Sequence, residues 1–455
     1  MKKLKLAIAI AAALTLCMSS FAVTTFAVLN DKGALIAVDP DHPAEAAITK
    51  MLKMPIGTDK PTATFEFLVD KVSVEGKTTS EAKATMPTIG MDGVVTISTA
   101  AALEKNTRTE NGITYVAIES QSLFAGKNFP RAGVYVYEIT ETEKTNAAID
   151  SNTDHESLSY SGAKYTITLY VKSKEAPATG TYIYAIGTRV TLADSGSAQV
   201  GEKVDPTPGG TVATGEYSKM IFTNVYVKTN GPDDPDTPDP EKEEDSTLLV
   251  DKTVTGTFGS KEIYFDYEMT VFAPSVVYNG TGTAPIFKAY IVEAGQFLGE
   301  DALEKNEISA DVTSEGVIYV VANSPFEFSL KDGQRLMFIN TPVGSYYEIK
   351  ELGTVSYTPS VIVTYDGDAL AEESGSMSAD FAIPSEKTFT IDEDRLYVGE
   401  ALNKAAFTND RDSVTPTGLN LNDIPFIGMV LLALGAIAVF VLIKVRSARK
   451  ARNEA

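Results

Sequence analysis

Tryptophan is absent from this 455-residue chain, histidine occurs only as His42 and His155, and the single cysteine is Cys17. Cys17 lies in an amino-terminal apolar segment, so the rest of the chain has no thiol and cannot form disulfides. An exported chain of this kind must be stabilised by its cores or by another crosslink. With two histidines, no other cysteine and no recognisable catalytic motif, nothing points to a hydrolytic enzyme, and no cofactor or metal is called for. Positive charge is scarce as well: 39 Lys and Arg face 61 Asp and Glu, a net charge of −22. That balance argues against nucleic acid or an anionic membrane surface as a partner.

The two ends assign a compartment. Lys2, Lys3 and Lys5 precede an apolar run from Leu6 to about Met18, followed by small residues at Ser19, Ser20, Ala22 and Ala27. This is the layout of a secretory signal peptide over 1–27, cleaved after Ala27 or after Ala22, since the run is short for a membrane span. At the other end, 424–443 is an uninterrupted apolar stretch long enough to cross a bilayer as one helix. Lys444, Arg446, Arg449, Lys450 and Arg452 follow it and put that end on the cytoplasmic side. The body is expected outside the cell. Without 1–27 and 418–455 its net charge becomes about −28, which favours a soluble, self-repelling exterior.

Residues 229–245 read TNGPDDPDTPDPEKEED, rich in proline and acid and nearly free of apolar side chains. They are expected to form an extended, semi-stiff linker, a solvated charged hinge, because their acids lack the ligand spacing and glycine turn of a calcium loop. On either side the pattern is all strand: 63–69, 134–137, 165–171, 264–267 and 361–365 alternate or run apolar and are rich in Val, Ile, Thr, Tyr and Phe. Turns such as Lys331-Asp332-Gly333 break them. The reading is all-β, with two tandem β-sandwiches over 45–228 and 246–412. Residues 142–161 and 200–215 read as exposed loops of the first.

One spaced trio occurs twice in the same order. The first set is Lys50, Tyr137-Glu138-Ile139-Thr140-Glu141 and Phe222-Thr223-Asn224; the second is Lys252, Tyr347-Glu348-Ile349-Lys350-Glu351 and Phe407-Thr408-Asn409. Residues two apart share a strand face, so each Lys, Glu and Asn sits in an apolar row aimed at a core. Lys53 is near Lys50, but Lys50 keeps company with Ile48 and Leu52. Burial lowers a lysine's pKa, leaving a neutral, nucleophilic amine, and raises a glutamate's, leaving a carboxyl that can donate to an amide oxygen and shuttle protons. Asparagine supplies the electrophile. The product would be a Lys–Asn isopeptide bond with loss of ammonia, the reactants being held together by the fold.

On these residues, together with Leu249–Gly256, Leu330-Lys331-Asp332-Gly333 and Pro342-Val343-Gly344, the chain resembles Gram-positive pilin subunits built from streptococcal-type isopeptide-linkage domains. These are Ig-like sandwiches related to the B-type repeats of collagen adhesins. The resemblance implies that Lys50–Asn224 and Lys252–Asn409 are the bonded pairs and that Glu141 and Glu351 are their internal catalysts. Val414-Thr415-Pro416-Thr417-Gly418, ahead of the apolar helix and basic tail, resembles a cell-wall sorting signal over 414–455. That implies cleavage by a sortase between Thr417 and Gly418, with transfer of the Thr417 acyl group to an amine; Pro416 directly before Thr417 departs from the common Leu-Pro-x-Thr-Gly form. The implied function is a subunit of a covalent surface fibre attached to peptidoglycan and joined to neighbouring subunits. The alternative is a monomeric wall-anchored adhesin that binds a host protein or glycan. Lys219, outward by strand parity with Asn224, is the candidate acceptor amine, with Lys203 and Lys228 as competitors.

Overall fold

The computed structural model describes residues 27–29, 35–101, 106–143, 155–194, 199–209, 215–232, 237–384, 395–412 and 424–453. The expected signal peptide up to residue 26, and Pro416, Thr417 and Gly418, lie outside the described residues. Within them the chain is mostly strand in several sheets, with a short helix at Ser80–Ala84 and a 30-residue helix at Ile424–Asn453.

Up to Lys228, two sheets face each other. A five-stranded sheet has the order Thr107–Glu110, Ile113–Glu119, Thr49–Pro55, Ile221–Lys228, Glu156–Ser159. A six-stranded sheet has the order Lys203–Val204, Thr181–Leu192, Lys164–Ser173, Gly133–Glu141, Thr64–Val74, Val94–Ser98. Alternate side chains of both, among them Leu52, Phe65, Phe67, Tyr137, Ile139, Ile167 and Phe222, fill one core. The period-2 burial of Ile221–Lys228 and Lys164–Ser173 follows directly from their alternating sequences.

The second half repeats the plan. A ten-stranded sheet has Leu248–Thr255 and Lys404–Asp410 at its centre, and a five-stranded sheet contains Phe265–Phe272 and Tyr346–Glu351. Val250, Tyr267, Ile349 and Phe407 lie in the core between them. In both halves the first and last long strands are adjacent and parallel: Leu52 stands opposite Asn224, and Val254 opposite Asn409. At Lys331-Asp332-Gly333 the chain turns between Pro325–Leu330 and Gln334–Phe338, with Gly333 at φ 77°, a left-handed conformation that glycine adopts without a Cβ penalty.

Two expectations need correction. The stretch 142–161 is not simply an exposed loop: Glu156–Ser159 pairs antiparallel with the Asn224 strand, and Ser161 is buried. Leu158 and Tyr160 alternate with serines here, a strand pattern only four residues long and easily read as loop. In 200–215, Lys203–Val204 likewise adds to the six-stranded sheet and Val204 is buried.

The described parts of 229–245 are also not a freely solvated hinge. Thr229 bridges to Pro342, and the Asn230 side chain donates to Gly399 O at 3.4 Å. Glu243 pairs with Lys404 at 3.1 Å and with Arg335 at 3.5 Å. Glu243, an acid that read as solvated, thus finds its cations on the second half. Beside them the Lys228 ammonium pairs with Glu400, whose other oxygen accepts from Asp59 N at 2.7 Å. Gly344, at φ 78°, lets the backbones meet here, since a Cβ would lie 2.3 Å from Pro55 Cβ.

The side chains from 432 to 446 are all exposed. Among the described residues no helix is long and apolar enough to cross a membrane, so the span expected over 424–443 is not shown.

Candidate functional site

Lys50, Glu141 and Asn224 converge in the first core. Lys50 and Asn224 come from neighbouring parallel strands of one sheet, and Glu141 reaches across from the end of a strand in the facing sheet. Lys50 Nζ donates to Glu141 Oε1 at 2.6 Å, and Asn224 Nδ2 donates to the same oxygen at 3.0 Å. Neither the lysine nor the glutamate side chain has any solvent exposure. Lys53 points the other way, onto the outer face, with its ammonium 5.8 Å from the Tyr115 ring centroid.

The second core holds the same arrangement. Lys252 Nζ donates to Glu351 Oε1 at 2.8 Å, and Asn409 Nδ2 donates to that oxygen too. Both ammonium groups lie against paired aromatics of the facing sheet: Lys50 Nζ is 4.5 Å from the Phe65 centroid and 5.9 Å from Phe67, and Lys252 Nζ is 3.9 Å from Phe265 and 5.6 Å from Tyr267. Placing two rings over each ammonium provides the charged form with a π-face but no water.

Burial is the dominant electrostatic fact. It pushes Lys50 and Lys252 down to about 8, the adjacent carboxylates opposing only part of the shift. It raises Glu141 and Glu351 above the usual carboxylate range, against the lysine and asparagine hydrogen bonds that favour the ionised form. The two shifts run in the direction that eases passage of the proton from amine to carboxyl, toward the neutral pair in which the amine nitrogen can attack an amide carbon. Such a site can bring an amine and an amide together around one proton carrier in a dry, apolar setting.

One group was missed by the sequence reading. The backbone N–H of Ser161 donates to Asn224 Oδ1 at 2.8 Å and, more weakly, to Glu141 Oε2 at 3.2 Å. A backbone donor leaves no residue-type signal. The Ser161 hydroxyl donates to Asp194 Oδ2 at 2.6 Å and accepts from Ala163 N at 3.2 Å.

The acceptor candidates stand apart. Lys219 is half-buried on the outer face between the buried Ser218 and Met220; its Nζ donates to Gly215 O at 2.6 Å and lies 3.9 Å from the Tyr217 centroid. It borders a cavity of about 430 Å³ that also includes Lys53, Arg108, Tyr115 and Lys203. Lys228 is engaged by Glu400. Among the described residues no group of three or more His, Cys, Asp or Glu is placed to hold a metal.

Residues 246–411 match the model of a domain of unknown function, DUF7601. In solved structures the chain resembles the major pilin of Streptococcus pyogenes at 16% identity, covering 81% of this chain and 100% of that one, with a TM-score of 0.30. It also resembles a pilus-presented adhesin at 12% identity, covering 55% of this chain and 37% of that one, with a TM-score of 0.21. Over 320 residues, 70% of this chain and 69% of the relative, it is 24% identical to the pilin of Streptococcus pyogenes serotype M1, and by this sequence similarity it is a homologue of that pilin.

Proposed function

We propose that this chain is a pilin subunit of a Gram-positive surface fibre, and that each of its two sandwiches, Ig-like in the manner of collagen-adhesin B-type repeats, is closed by an intramolecular Lys–Asn isopeptide bond. The observation that carries the reading is the repeated geometry: in each core a buried lysine amine and a buried asparagine amide meet on a single glutamate oxygen. The neutral amine of Lys50 or Lys252 attacks Cγ of Asn224 or Asn409. Glu141 or Glu351 passes the amine proton to the departing nitrogen, the Cγ–Nδ2 bond breaks, the Cγ–Nζ bond remains, and ammonia leaves. Because the joined strands are the first and last long strands of each half, tension along the chain would load a covalent bond instead of a hydrogen-bonded ladder.

In this reading the chain is exported and its carboxyl-terminal helix holds the precursor in the membrane. The exposed large apolar side chains at Leu432, Leu434, Ile437 and Phe440, with basic residues beyond them, support an apolar environment for that helix. A sortase then cleaves between Thr417 and Gly418 and passes the acyl group to a neighbouring subunit or to peptidoglycan. The bonds are tested by intact mass under denaturing conditions: the ectodomain should be lighter than its sequence mass by about 34 Da, about 17 Da per ammonia lost. A full sequence mass would remove the proposal of internal bonds.

A further inference from the structure

We infer that the two bond-forming sites are not equivalent: in the first, the backbone N–H of Ser161 is an oxyanion donor to the Asn224 carboxamide, held in place by Asp194, and among the described residues the second site has no such donor. This deepens the isopeptide reading above and rests on it.

Attack by Lys50 on Cγ of Asn224 turns Oδ1 from a carbonyl oxygen into an oxyanion before the Cγ–Nδ2 bond breaks and ammonia departs. A donor preorganised on that oxygen in a core shielded from solvent lowers the barrier, because its interaction strengthens as charge develops. Ser161 N–H already sits 2.8 Å from Asn224 Oδ1. It is there because the strand Glu156–Ser159 ends just before it, so the chain leaves the ladder and turns inward. Asp194 fixes the turn: Oδ2 accepts from the Ser161 hydroxyl at 2.6 Å and from Thr223 N, next to Asn224, at 3.2 Å. Asp194 is therefore a positioning residue, and the Ser161 amide is the group that touches a reacting atom.

The second site differs at the same place. There the strand beside Asn409, Thr358–Tyr365, stays in register along the whole of Lys404–Asp410, with Pro359 opposite Asn409. Among the described residues, neither Asn409 Oδ1 nor Glu351 Oε2, both buried, has a hydrogen-bond partner. A proton on Glu351 is then the donor left for the Asn409 oxyanion, whereas the first site has Ser161 N–H in addition to Glu141.

Asp194 has a second, opposing influence that makes the test decisive. Its charge favours the protonated form of Lys50, so a purely electrostatic role predicts faster bonding when the charge is removed. Positioning predicts slower bonding. The experiment follows cell-free synthesis of the ectodomain, quenched in acid at timed intervals. The folded, protease-resistant fraction is digested, and the crosslinked Lys50–Asn224 and Lys252–Asn409 peptides are quantified separately. Asp194→Ala and Ser161→Ala should slow the first bond by about tenfold or more and leave the second unchanged. Asp194→Asn and Ser161→Thr, which keep the side-chain hydrogen bond, should restore the first. Equal or faster first-site bonding in Asp194→Ala and Ser161→Ala overturns the inference. Absence of both crosslinks from the unmodified ectodomain overturns the isopeptide reading itself.

Discussion

Replacing Asn224 by Ala removes the electrophile of the first site while leaving the buried Lys50–Glu141 pair at 2.6 Å in place. The bond it would form closes a loop of roughly 175 residues, and the chain-entropy relation gives about 5 kcal/mol for a loop of that length. At about 2–4 °C per kcal/mol for a domain of this size, the first half should melt about 10–20 °C lower in the variant. The lost hydrogen bond from Ser161 N–H to the Asn224 oxygen acts in the same direction and adds about 1 kcal/mol. Glu141→Gln, which keeps both reactants but removes the proton carrier, should reach the same open state by a different route. Scanning calorimetry and intact mass on the same samples check both. Each variant should retain one ammonia loss, from the second half, and share a lowered first transition. A variant that lacks the first crosslink yet melts within about 3 °C of the parent would refute the argument that the loop closure stabilises the fold.

Three further outcomes are expected. In Asn224→Ala the Lys50 amine stays free, with its pKa lowered to about 8 in the folded chain against 10.5 unfolded. Between those values the unfolded state binds more protons, so the variant should gain about 2 kcal/mol relative to the bonded parent from pH 8 to 9.5, measured by urea titration; a constant difference would contradict the buried-amine assignment. Glu400→Ala, which releases Lys228 and Asp59 N, should increase proteolysis within 229–245 and widen the small-angle scattering profile, and unchanged cleavage would show that the clamp is dispensable. Lys219→Arg should abolish the high-mass ladder in blots of wall extracts, and Thr417→Ala should leave the chain extractable by detergent; an intact ladder in the first case excludes Lys219, and no ladder in the parent favours the monomeric adhesin.

Much of the site was legible because it repeats and because strand parity is unforgiving. Lys50 with Ile48 and Leu52, Glu351 with Tyr347 and Ile349, and Asn224 with Phe222 and Tyr226 each fall on the buried face that period 2 assigns. Parity also separated Lys50 from Lys53. What could not be read was tertiary. The partners of Glu243 are cations more than ninety residues away, so composition alone pointed to solvent. The Glu156–Ser159 strand is too short to show a period, and Ser161 acts through its amide, a group every residue but proline carries. The parallel pairing of first and last strands depends on the whole chain path between them.

The central claim is that each core holds a covalent bond between two named residues. Tandem mass spectrometry of a protease digest of the purified ectodomain tests it most directly. The account predicts two branched peptides, one joining Lys50 to Asn224 and one joining Lys252 to Asn409, each lighter than the sum of its linear parts by about 17 Da. Recovery of the linear peptides carrying free Lys50, Asn224, Lys252 and Asn409 at full mass would contradict it.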